Sequence, residues 1–268
     1  MNALAARRRH PAAIAILIML GLILTGALYA AVAPRPADAG TASADTVEMG
    51  RGLFLANCAS CHGTNAEGLK LGDGDRVAGP TLVGVGKAAV DFQMGTGRMP
   101  MTVPGVQAPR MDEIKFTEKE ISAIGDYIAS LAPGPNVPSE EAVDPTKGDA
   151  ARGGSLFRVN CAMCHNSAGA GGALTRGKYA PSLSGVIPRH IYEAMETGPQ
   201  NMPVFSDRNL SATDKRDIIA FLKTVENQPS PGGMTLGSLG PVAEGLFAWV
   251  FALGLLVACA IWLGKKAA

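Results

Sequence analysis

The sequence predicts an all-α protein in which two small helical domains stand in tandem between two apolar helices. Three observations carry that expectation. Two uncharged apolar runs, Ala12 to Ala33 and Leu246 to Leu263, bracket a polar middle. The middle repeats itself at an offset of 101 to 103 residues. Within each copy, aliphatic and aromatic residues recur at helical spacing, and little reads as strand.

Residues 1–40 are the first segment, "ARRRH" followed by the first apolar run. About 18 to 22 apolar residues, rising 1.5 Å each, cover the hydrocarbon core of a bilayer. Basic-then-apolar is also the order of a secretory signal, and Ala-x-Ala sites end at Ala33 and Ala39. Pro34 counts against cleavage at the first of them. Anchor and cleaved signal both stand as readings, and both export the polar middle of the chain.

The first domain is expected over 45–132 and the second over 150–227. "LFLANCASCHG" (53–63) is answered by "LFRVNCAMCHN" (156–166), and "GPTLVGVG" (79–86) by "APSLSGVI" (180–187). "MGTGRMP" (94–100) is answered by "METGPQNMP" (195–203), and "EISAIGDYIASL" (120–131) by "KRDIIAFLKTV" (215–225). A period near 100 is too long for a solenoid and marks a duplicated domain. Each copy orders a short helix into the cysteines, a glycine-rich loop, a small helix (88–94; 191–196), a methionine loop and a closing helix. So little core calls for a staple.

Proline, glycine and acids over 133–149 read as a linker between the copies, and 228–243 as a second linker. The closing element is a transmembrane helix over 244–264. Trp249 and Trp262 lie near the ends of its apolar run, where interfacial aromatics belong, and Lys265 and Lys266 come directly after it. With Arg7, Arg8 and Arg9 before the first run, the positive-inside rule puts the outer ends of both runs in the cytoplasm and the middle outside. Net charge is +1 overall, but 22 acids face 18 basic residues between Pro36 and Pro241. That balance argues against nucleic-acid binding and suits a basic docking partner.

Five cysteines in an exported chain suggest disulfides. Four of them, however, form the close pairs Cys58/Cys61 and Cys161/Cys164, with His62 and His165 immediately after. Cys259 lies in the last apolar run and reads as a small residue facing lipid or a neighbouring helix. Zinc needs four ligands, commonly from two Cys pairs, and each copy supplies one pair and one histidine. A thioredoxin-like site needs a βαβ context that is missing here. Cys-x-x-Cys-His is the pattern of covalent haem c attachment. Two thiols on one helical turn reach both vinyl groups, and the next imidazole points at the iron. Cys58, Cys61, Cys161 and Cys164 are thus expected to carry two haems, with His62 and His165 as ligands.

An iron with histidine on one face takes methionine on the other in cytochromes c, which raises its potential. Each copy has Thr-Gly and then Met-Pro, and Met99 aligns with Met202. Met101 is the local competitor. Met94 and Met195 recur about a helical turn earlier and are expected to pack against the porphyrin. Pro80 and Pro181 are placed to offer a carbonyl to the histidine's other ring N–H, with Leu82 and Leu183 packing on the ring. His190 has no counterpart in the first copy and reads as a surface residue or a support to the ligands.

Each copy resembles a class I cytochrome c domain. With "GGALTRGKYAPSL", "TGPQNMPVFSDRNLS" and "GGMTLGSLGPVAEGLFAWV" added, the layout from Val47 onward resembles the dihaem cytochrome c subunits of actinobacterial cytochrome bcc complexes. The first forty residues carry no specific resemblance. The resemblance implies a subunit of quinol–cytochrome c reductase. It works beside a cytochrome b subunit and takes electrons that the Rieske iron–sulfur protein draws from menaquinol. Its two haems pass them to an aa3-type cytochrome oxidase. The chain itself is then a conduit in the cell membrane, its haem domains on the outer face. A free-standing, membrane-anchored dihaem carrier is the alternative. A dihaem peroxidase needs an accessible iron, which His/Met ligation denies.

Denaturing gels stained for haem should stay positive, and Cys161→Ala with Cys164→Ala should halve the pyridine haemochrome yield.

Overall fold

The computed structural model describes residues 11–32, 42–72, 77–102, 105–227 and 241–267. Arg7 to Arg9, the Ala33 and Ala39 sites and residues 228–240 of the second linker lie outside them. The chain divides into two units, Met1–Thr41 and Ala42–Ala268. In the first, α1 (Pro11–Val32) is one 22-residue helix. Its large apolar side chains from Ile14 to Tyr29 are more than half exposed, as suits a helix solvated by lipid.

The second unit contains both repeats. The first comprises α2 (Ala44–Asn57), the single turn α3 (Ala59–His62), a ribbon of β1 (Leu69–Lys70) and β2 (Val77–Gly79), α4 (Gly86–Gly95) and α5 (Glu118–Leu131). After α6 (Glu140–Val143), the second comprises α7 (Ala150–Asn160), α8 (Ala162–His165), β3 (Gly172–Ala173) paired with β4 (Tyr179–Ala180), α9 (Pro188–Thr197) and α10 (Ala212–Asn227). The all-α expectation holds; strand among the described residues is confined to these two short ribbons. Local signals set the ends. Ser43 accepts the Thr46 amide at 3.2 Å, and Thr117 with Glu120 forms a capping box on α5.

Each copy is built on one helix crossing, α2 on α5 and α7 on α10. A Cβ on Gly50 would lie 1.9 Å from the Ala123 carbonyl oxygen, and one on Gly153 would lie 1.8 Å from that of Asp217. The helices therefore touch backbone to backbone. Beside each crossing an aromatic pair closes the core: Phe54 on Tyr127 at 5.3 Å, and Phe157 on Phe221 at 5.4 Å between centroids. Phe54, Ile128, Phe157 and Ile219 are fully buried. The second crossing is also clamped by charge. Asp217 accepts the Asp149 amide at 2.8 Å and the Arg152 guanidinium at 2.6 Å.

The expected linker is held at both ends. Pro135 accepts the Ala88 amide at 3.0 Å, while Val143 of α6 belongs to the second core. The two repeats meet directly as well. The Gln107 side chain donates to the Tyr179 carbonyl at 2.8 Å and accepts the Tyr179 amide at 2.9 Å. Arg189 of α9 reaches Asp91 of α4 at 3.0 Å and Glu118 at 3.8 Å.

The chain closes in a helix somewhat longer than expected: α11 (Pro241–Phe247), a π-helical stretch (Ala248–Leu253) and α12 (Gly254–Ala267). Ala243–Lys266 within it is long and apolar enough to cross a membrane. At its far end Lys266 lies over the Trp262 ring at 4.5 Å.

Gly50→Ala should destabilise the first domain by about 1–3 kcal/mol, because the added methyl overfills a fixed crossing. Gly52→Ala two residues on meets open space and should stabilise it by about 0.5–1 kcal/mol, the ordinary helical preference. Denaturant titration of the two variants checks the opposite signs.

Candidate functional site

Both copies build the same frame around Cys-x-x-Cys-His. The first cysteine ends the leading helix: the Cys58 and Cys161 amides donate to Phe54 and Phe157 carbonyls, each at 2.8 Å. The next turn stays helical, with His62 donating to Cys58 at 3.0 Å and His165 to Cys161 at 2.9 Å through their amides. All four cysteines are free thiols. Burial first, then the neighbouring cysteine, pushes Cys58 and Cys161 up to about 11.

The histidines are oriented from behind. Nδ1 of His62 lies 2.7 Å from the Pro80 carbonyl oxygen, and Nδ1 of His165 lies 3.0 Å from that of Pro181. A neutral ring that donates from Nδ1 keeps its Nε2 lone pair for a metal. Burial lowers the His165 pKa, with the Pro181 contact opposing, and so favours that neutral ring.

Glycines make the approach possible. A Cβ on Gly79 would fall 2.9 Å from the His62 Nδ1 and 2.6 Å from the Cys61 carbonyl oxygen. Gly68 and Gly171, at φ +86° and +82°, turn the chain where only glycine is comfortable. The proline strand is pinned in register by the Leu82 amide on Ala66 and the Leu183 amide on Gly169, each at 2.8 Å. Leu82 and Leu183 pack against the first and second cores.

Met99 packs against the first core and Met202 against the second. Their amides are tied by bonds of 3.0 Å to the Gln93 and Pro199 carbonyls. Met101 is not part of the first core; its methyl lies 3.7 Å from where a Cβ on Gly105 would stand. Met94 and Met195 are buried at 5% and 2% exposure. In the second copy the methionine loop is fastened by Lys215, whose fully buried ammonium bonds Asp207 at 2.9 Å and also Glu196.

A cavity of about 670 Å³ opens among Cys161, Cys164, His165, Leu183, Met195 and Met202, within the ordinary range for a cofactor pocket. It continues to Phe92, Arg98 and Met111 of the first copy, so the second cleft faces the first domain. Two thiols on one turn, an imidazole held through Nδ1 by a proline carbonyl and a methionine lining the same cavity fit the donor set of haem c. When bound, haem supplies an iron that takes and gives one electron.

Comparison with known proteins agrees. A cytochrome c family model matches residues 47–132, and the model for subunit III of cbb3-type cytochrome c oxidase matches 148–222. The cytochrome bc1 complex cytochrome c subunit of Corynebacterium efficiens is 44% identical, over 96% of this chain and 90% of the relative. That of Corynebacterium diphtheriae is 43% identical over 96% and 95%, and that of Mycobacterium tuberculosis 44% over 94% and 90%. The chain belongs to the cytochrome bc1 complex cytochrome c subunits. Its cytochrome c domains imply covalently bound haem c.

Several positions in these cytochrome c domains are not marked by the motifs. Gly50 and Gly153 recur at the same 103-residue offset as the cysteines, a signal that the repeat alone could have given. Gln107, Asp91 and Glu193 carry no such signal. His190, expected at the surface or beside the ligands, is buried at the junction of the two domains with 7% exposure.

Met99→Leu should remove the first domain's contribution to the weak near-infrared methionine-to-iron band of the oxidised protein, and Met101→Leu should leave it. The reverse pattern would reassign the ligand.

Proposed function

We propose that this chain holds two covalent haems and serves as the electron conduit of a bcc-type quinol–cytochrome c reductase. Cys58 and Cys61 bind the first haem, whose iron lies between His62 and Met99. Cys161 and Cys164 bind the second, between His165 and Met202. The observation that carries the reading is the paired arrangement of a carbonyl-anchored histidine and a core-facing methionine in each copy. Protein ligands on both faces leave neither iron a position for substrate, so the isolated chain conducts electrons and the quinol chemistry belongs to its partners.

Electrons enter from the Rieske iron–sulfur protein, held beside a cytochrome b subunit, and leave to an aa3-type cytochrome oxidase. The names of the relatives support membership of the complex, and the resemblance supplies the route. The apolar helices lie in membrane lipid. Lys265 and Lys266 put the last helix's end in the cytoplasm and both haem domains on the outer face. Tethering keeps the domains beside donor and acceptor at high effective concentration, so transfer does not wait for a diffusing carrier.

Purification in mild detergent should bring cytochrome b, the Rieske protein and the aa3 oxidase with this chain. Truncation after Pro241 should leave both haems attached and reducible by dithionite while quinol-dependent oxygen uptake falls severely. A chain that purifies alone, and whose truncated form sustains full respiration, would instead be the free-standing dihaem carrier.

A further inference from the structure

Beside the cavity assigned to the second haem, the junction of the two domains buries a charged cluster. Asp91 comes from α4; Arg189, His190 and Glu193 come from α9. Glu193 is fully buried, and neither carboxylate oxygen completes a hydrogen bond, although Asp91 stands close enough to raise its pKa. The Nε2 of His190 has none either, with that side chain 9% exposed. Arg189 Nε stands 3.0 Å from Asp91 Oδ2, yet neither atom completes a hydrogen bond. The guanidinium offsets charge but leaves that oxygen's lone pair open. A carboxylate buried without a partner is costly.

We propose that Asp91, His190 and Glu193 bind a divalent cation of the zinc class, clamped between the two haem domains. One ligand atom from each lies within 4.8 Å of the others, and His190 Nε2 is 3.7 Å from Asp91 Oδ2. Ligands on a tetrahedral zinc, with bonds of about 2.0–2.2 Å, stand about 3.4 Å apart, so the site closes when its widest pair contracts by up to about 1.4 Å. One imidazole with two carboxylates suits zinc; an oxygen-only set would suit magnesium or calcium. Asp91 and His190 also line the cavity assigned to the second haem, so the site adjoins that cofactor.

Burial first, then Asp91, pushes Glu193 up to about 10, with Arg189 opposing. Burial holds His190 down to about 4; Arg189, Arg110 and Arg98 act in the same direction and Asp91 against it. Glu118 pairs with Arg189 at 3.8 Å.

The test titrates the haem-loaded, detergent-solubilised full chain, stripped with chelator, with zinc chloride by calorimetry at pH 7. The expected result is about one zinc per chain. Glu193→Gln keeps the side chain's shape, so haem content and the visible spectrum should persist. Zinc affinity should fall about tenfold or more. Asp91→Asn should weaken binding as well. No binding at micromolar zinc, or binding that both variants leave unchanged, would each overturn the site.

Discussion

The close crossing of the first and last helices of each repeat is the constraint on which the remainder rests. At Gly50 and Gly153 no side chain separates the two helices, so their axes, and the turn at the end of the leading helix, are fixed by backbone contact. That turn carries both cysteines and the histidine. A wider crossing would carry the Cys-x-x-Cys-His turn away from the strand whose proline carbonyl aligns the imidazole. The packing of a pair of glycines and the direction of a histidine ring are thus one problem, solved twice in the chain.

The two solutions are alike in backbone and different in side chains. The amides of both cysteines, both histidines and both leucines find equivalent partners. Yet Ala123 at the first crossing answers Asp217 at the second, where Arg152 and the Asp149 amide satisfy the buried carboxylate. Such a clamp gains from direction rather than from strength alone. It also fixes the start of α7 against α10, while Pro135 and Val143 tie the preceding proline-rich and acidic stretch to the fold.

Much of this is legible in the sequence because covalent chemistry dictates residue type and spacing. Cys58 to His62 and Cys161 to His165 can be read as they stand, and the Thr-Gly then Met-Pro repeat singles out Met99 and Met202. Pro80 and Pro181 come from the need to anchor a ligand ring. The junction is not legible. Contacts between the copies have no period, so nothing marks Gln107 as the partner of Tyr179. His190, with no counterpart to align against, reads towards the surface while tertiary packing buries it beside Asp91.

Lys215 has a consequence for the energetics of electron exchange. Its fully buried ammonium binds Asp207 beyond the methionine loop and Glu196 at the end of α9, beneath the ring of Tyr192. A loop fastened from inside the core cannot swing to meet a change of charge at its neighbour. With a haem bound there as proposed, the response to a change of charge would be left to dipoles already in place, which would keep the reorganisation energy small.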